Sequence, residues 1–220
     1  MAEMTMRERM LALVQGLPHD RVPFVTYSGI AGVSNQEVWS VIGRNNMGLL
    51  EWCGLHGFSH PNCRFESEGF EIDGRRGTRN KLHTPEGTLV EERLNAAIAS
   101  ASSKHYVIEP EDYKILLRYF RDITVQKQTN SWLDSYKRLG DDGFPHTSLV
   151  RTPYQQLWVQ WVSIEDLALH LVDYPEIMED VFDEMFRIQR DIIRIACECA
   201  EELPIPYFNF PDNITAPIIG

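Results

Sequence analysis

The 220-residue chain predicts an α/β fold with a largely parallel sheet. Three observations carry that reading. Short apolar, β-rich runs at 21–27, 144–153 and 205–210 each lead into polar residues. Amphipathic helical stretches separate them, and alternating strands and helices favour parallel strands with helices laid against them. One block, 60–108, breaks the pattern with short alternating stretches around Asp73-Gly74 and Pro85-Glu86-Gly87. That texture predicts an antiparallel β-hairpin insertion, because Asp-Gly between such stretches is a strong hairpin signal.

Taken in order, the first helix starts at Thr5 with Glu8 at capping-box spacing, places Met6, Met10, Leu13 and Val14 on one face, and stops at Gly16 and Pro18. "RVPFVTY" (21–27) reads as a buried strand ending in Tyr27 and Ser28. Ser34 then caps a helix whose apolar part holds Val38, Trp39, Val41 and Ile42. After the insertion, "EPEDYKILLRYFRDI" (109–123) is helical, with Pro110 in its first turn. "FPHTSLVRTP" (144–153) reads as a strand ending at Arg151. Ser163 and Asp166 mark the next helix start, and the longest helix spans 174–203. In it Met178, Val181, Phe182, Met185, Ile188, Ile192, Ile195 and Cys199 recur every three or four residues, until Pro204 ends it. "IPYFNF" (205–210) is a short apolar run that delivers Asp212 and Asn213.

The net charge of -11 repels phosphate backbones and anionic lipid, so neither nucleic acid nor membrane is an expected partner. No apolar run approaches the roughly 20 residues of a membrane helix. The charged start MAEMTMRERM lacks a signal-peptide core, and four cysteines without framework spacing read as reduced thiols of a cytoplasmic protein.

In parallel sheets, function gathers at the carboxyl ends of strands. That rule selects Tyr27, Ser28, Arg151 and Tyr154 as substrate-binding residues, and Asp212 and Asn213 as catalytic ones. Asp212 would orient or deprotonate, Arg151 would hold an anionic group, and Tyr27 would line the pocket, since a neutral phenol is a poor base at pH 7. The most metal-like stretch is "CGLHGFSHPNC", with Cys53, His56, His60 and Cys63 at spacings zinc accepts. The competing reading, which we prefer, is a loop where these residues happen to fall. Cys197 and Cys199 point about 200° apart on a helix and read as packing residues. Trp158 and Trp161 read as core, and no phosphate-binding glycine loop is present.

Several fragments resemble the uroporphyrinogen decarboxylase superfamily in the same order along the whole chain. "MTMRERMLALVQGLPHDRVPFVTY" is similar to its opening, with His19 inserted between Pro18 and Asp20. "TPEGTLVEE", "EPEDYKILLRYF", "RTPYQQLWVQW", "LVDYPEIMEDVFDEM" and "FPDNITAPIIG" resemble later landmarks. The resemblance implies a (β/α)8 TIM barrel. Because barrels need about 250 residues, it implies an incomplete barrel, with 1–220 as the N-terminal part of one domain and the chain truncated. A half barrel alone exposes strand edges and apolar helix surface, so it should either associate, as in a homo-oligomer, or be unstable.

The resemblance also implies a chemistry. True uroporphyrinogen decarboxylases carry arginines just after the first strand to bind an eight-carboxylate substrate. Here Tyr27-Ser28-Gly29-Ile30-Ala31-Gly32-Val33 has none, which disfavours that activity. The other branch transfers a methyl group between a corrinoid and a methoxylated substrate, thiol or folate, and is the expected function. Its implied co-substrate is a corrinoid such as methylcobalamin, with a corrinoid protein as partner. Any zinc would come from ligands beyond residue 220. The alternatives are a metal-free decarboxylase of porphyrin biosynthesis and a non-catalytic fragment or subunit. All of these expectations share one geometric premise: Tyr27, Arg151 and Asp212 gather around a common hollow.

Overall fold

The computed structural model describes residues 3–27, 32–95 and 101–213. In chain order these form α1 (Met6–Val14), β1 (Val25–Tyr27), α2 (Asn35–Ile42), β2 (Gly48–Cys53), β3 (His56–Ser59), β4 (Arg64–Ile72), β5 (Arg75–Thr84), β6 (Gly87–Leu94), β7 (Ala101–Lys104), α3 (Asp112–Asp122), β8 (Thr124–Lys127), α4 (Asn130–Leu139), β9 (Gly143–Thr147), α5 (Pro153–Gln160), α6 (Ile164–Asp173) and α7 (Pro175–Glu202). They divide into two compact units. The first holds 1–57, 127–149 and 193–211, and the second holds 58–126, 150–192 and 212–220.

The first unit is built on a three-stranded parallel sheet in the order β1-β2-β9. One face is closed by Trp39, Met47, Leu49 and Leu139, and the Trp39 indole donates to the Met47 carbonyl at 3.0 Å. The other carries Val25, Leu50 and Phe144, covered at the amino ends of the strands by Met6 and Met10 of α1. Both capping boxes, Thr5 with Glu8 and Ser34 with Glu37, form as their spacing predicts. The fully buried Arg9 guanidinium makes a two-pronged pair with Asp20 at 2.6 and 2.8 Å, which ties α1 to the segment entering β1. Gly143 starts β9 where its neighbour comes closest: a Cβ there would stand 1.9 Å from the Leu49 carbonyl oxygen.

The second unit carries a four-stranded antiparallel sheet, β4-β5-β6-β7, with α3 packed on β5 and β6. The chain reverses at Asp73-Gly74, both at positive φ, so Ile72 faces Arg75 across a two-residue turn. Its aromatic core centres on Trp161, with Tyr106, Tyr119 and Phe120 at 5.2 to 5.6 Å between ring centroids. A separate two-stranded sheet pairs β3 with β8.

The chain is therefore α/β, but its described strands are not arranged as a TIM barrel, complete or partial: three pair in parallel, and the others pair in antiparallel sheets of two and four strands. The physical reason lies in the runs read as strands. Pro23 cannot donate to a ladder, and only Val25–Tyr27 of the first run is a strand. The 144–153 run leaves the β2 ladder at Thr147, and Pro153 opens a helix. "IPYFNF", punctuated by Pro204 and Pro206, makes only an isolated parallel bridge, Ser148 with Asn209. Two helices that the sequence reading did not assign, α4 and α5, occupy 130–139 and 153–160.

Candidate functional site

The second unit contains a cavity of about 290 Å³. Tyr119 and Phe120 of α3, Phe65 of β4, Trp161, and Met185 and Ile188 of α7 give it an aromatic and aliphatic wall. The polar groups come from Arg151, from Gln156 and Gln160 of α5, and from Gln189. Burial pushes the Tyr119 hydroxyl up to about 12, so it stays neutral at physiological pH. The Arg151 Nε is buried and has no hydrogen-bond partner. A cationic donor left unpaired inside an apolar wall is costly unless something binds it.

Helix α5 explains why Arg151 sits there. Pro153 is its first residue, where a missing N–H costs nothing. The Thr152 N–H donates to Asp212 Oδ1 at 2.9 Å, so the carboxylate completes the helix start and holds the Arg151–Thr152 backbone in place. Asp212 is thus engaged in positioning this turn. Asn213 is exposed, and Tyr154 is half-buried on α5 but outside the cavity lining. Beside the cavity-facing stripe, a second stripe of α5 carries more buried atoms without partners: Thr152 Oγ1, both amide atoms of Gln155, and Trp158 Nε1. Gln155 is fully buried.

The first unit presents a different arrangement. Tyr27 ends β1 and stacks on Trp52 of β2 at 5.1 Å and 21° between planes. His146 of β9 meets both rings edge-on, at 5.4 Å from Tyr27 and 4.3 Å from Trp52. The Tyr207 hydroxyl hydrogen-bonds His146 Nδ1, while Nε2 is buried without a partner. Burial lowers the His146 pKa and pushes the Tyr207 hydroxyl up to about 12. Sequence reasoning missed His146 because it extended the strand to Arg151. With the strand ending at Thr147, the same strand-end rule points to His146. Tyr27 thus belongs to the first unit, and Arg151, Tyr154, Asp212 and Asn213 to the second. Ser28 lies outside the described residues.

Among the described residues no three His, Cys, Asp or Glu side chains are grouped to hold a metal, the stretch from Cys53 to Cys63 included. Cys53 is buried in β2, where burial raises its pKa and its thiol faces the Ser131 carbonyl at 3.9 Å. His60 Nδ1 lies 2.9 Å from the Cys63 carbonyl. Burial first, and then Asp122, push the Cys63 thiol up to about 11, opposite to what a thiolate ligand needs. The cavity of about 290 Å³ accommodates a single-ring molecule. No described helix is long and apolar enough to cross a membrane. No family model, curated protein or solved structure matches the chain.

Proposed function

We propose that the chain binds a small molecule with one carboxylate on an apolar, ring-sized body and serves methyl transfer on it. The methyl-transfer half comes from the sequence resemblance and the substrate half from the cavity. The observation that carries the substrate half is the unpartnered Arg151 guanidinium nitrogen in an aromatic wall. One cation supports one carboxylate, and an eight-carboxylate porphyrinogen would need several. Among the methyl donors and acceptors expected, a methoxylated aromatic acid suits this volume and polarity. A simple thiol would leave the buried guanidinium nitrogen unpaired. In this reading Arg151 binds the carboxylate, Tyr119, Phe120 and Trp161 hold the ring and exclude water, and Gln156, Gln160 and Gln189 orient polar substituents.

Calorimetric titration with 4-methoxybenzoate tests the reading. Charge-assisted hydrogen bonds contribute about 1.5–3 kcal/mol, so Arg151→Met should weaken binding by roughly 10- to 150-fold. Anisole, which lacks the carboxylate, should bind both proteins alike. Equal affinity of wild type and Arg151→Met for 4-methoxybenzoate refutes the site. Release of 4-hydroxybenzoate on addition of cob(I)alamin tests the methyl-transfer half separately.

A further inference from the structure

We propose that the carboxyl ends of β1, β2 and β9 form a second binding site, for a neutral planar heteroaromatic molecule bearing a hydrogen-bond acceptor, with Trp52 as stacking surface and His146 Nε2–H as donor. The register places the residues. Tyr27 pairs with Leu50, Phe144 with Leu50, and His146 with Trp52, so Tyr27, Trp52 and His146 share one sheet face. They are the last residues of their strands on that face. Methionines of α1 cover its amino end, and at the carboxyl end Trp52 stays 52 % exposed. Carboxyl ends of parallel strands are where such sheets bind ligands.

The chemistry of His146 narrows the ligand. The residue is only 4 % exposed, and among the described residues its side chain hydrogen-bonds the Tyr207 hydroxyl alone. A phenol O–H is a strong donor and an imidazole nitrogen a strong acceptor, so Tyr207 donates to Nδ1 and the ring proton sits on Nε2. Nε2–H is then a buried donor lacking an acceptor. Among the described residues no Lys or Arg stacks on these rings, so the fitting partner is a neutral acceptor, such as a pyridine-type nitrogen or a ring carbonyl, on a flat body that extends the Tyr27–Trp52 stack.

Quinoline and its isostere naphthalene, which lacks the acceptor nitrogen, separate the two contributions at pH 7.5. Wild type should bind quinoline about tenfold more tightly than naphthalene, the ratio expected of one hydrogen bond. His146→Phe should abolish that preference, Trp52→Ala should weaken both ligands, and Arg151→Met should change neither. Imidazole ¹⁵N spectra of the wild type give a readout independent of variant folding: the His146 Nε2 resonance should carry the proton and shift with quinoline but not with naphthalene. Equal binding of the two ligands, an Nε2 resonance unmoved by quinoline, or loss of quinoline binding in Arg151→Met would overturn the proposal.

Discussion

Replacing Gly143 by alanine is ordinarily a mild change, and here it should be severe. The Cβ would lie 1.9 Å from the Leu49 carbonyl oxygen, 2.8 Å from its carbon and 3.0 Å from its nitrogen. A carbon and an oxygen rest at about 3.3 Å, so β2 and β9 must separate by more than ~1 Å. Leu49 and Gly143 are direct partners in the parallel ladder, and both are buried. Stretching an N–H···O contact from about 2.9 Å to about 4 Å ends it as a hydrogen bond. Stranding two buried backbone groups at about 1–3 kcal/mol each gives a loss of about 3 kcal/mol or more. For a chain of this size that lowers Tm by roughly 6–12 °C. Urea unfolding followed by tryptophan fluorescence measures it. Gly54→Ala is the control, because the nearest atom to its Cβ is the His56 carbonyl oxygen at 3.8 Å; its stability should stay within about 0.5 kcal/mol of wild type. A Gly143→Ala protein within about 1 kcal/mol of wild type, with an unchanged denaturant slope, would refute the close-approach reasoning.

Hydrogen bonds from the Arg9 guanidinium hold the Asp20 carboxyl far below the usual carboxylate range, so its stabilisation is complete above about pH 4 and drains away as pH falls toward the folded value. Acid unfolding of Asp20→Asn should lack this component. Burial lowers the His146 and His56 pKa values, so folding stability should be full above about pH 6.5 and decline below it as the unfolded chain takes up protons first; His146→Phe should flatten part of that slope in pH-resolved urea melts. Asp212→Ala removes the acceptor for the Thr152 N–H and should cost about 1 kcal/mol, with weaker 4-methoxybenzoate binding as Arg151 loses its register. Gln155→Met replaces a buried, unpaired carboxamide by an apolar group of similar size, and should raise stability by about 1–2 kcal/mol in thermal melts.

Local signals were legible because they are local. The Thr5/Glu8 and Ser34/Glu37 boxes, the Asp73-Gly74 turn and the apolar period of α7 each involve residues a few positions apart, and chain geometry brings such neighbours together wherever the rest goes. The barrel expectation failed at the next level. Strand–helix alternation says nothing about which strands pair, and β9 joins β2 across 89 intervening residues, from Gly54 to Asp142, while β4 to β7 pair with one another. The ladder between β2 and β9 ends where Cys53 pairs with Thr147, and that moved the end of β9 from Arg151 back to Thr147. The backbone beside Arg151 is held at the cavity by Asp212, which accepts from the Thr152 N–H sixty residues earlier. His146 became a strand-end group through the same shift.

By itself the sequence determined the acidic charge, the helix starts, the hairpin turn and the apolar stripe of the longest helix, since propensity, capping and period act over a few residues. Tertiary structure alone decided that Arg151 and His146 are left with buried nitrogens and no partner. Whether a polar atom is satisfied depends on every segment that folds against it, and that sum over distant chain is not written in any short stretch.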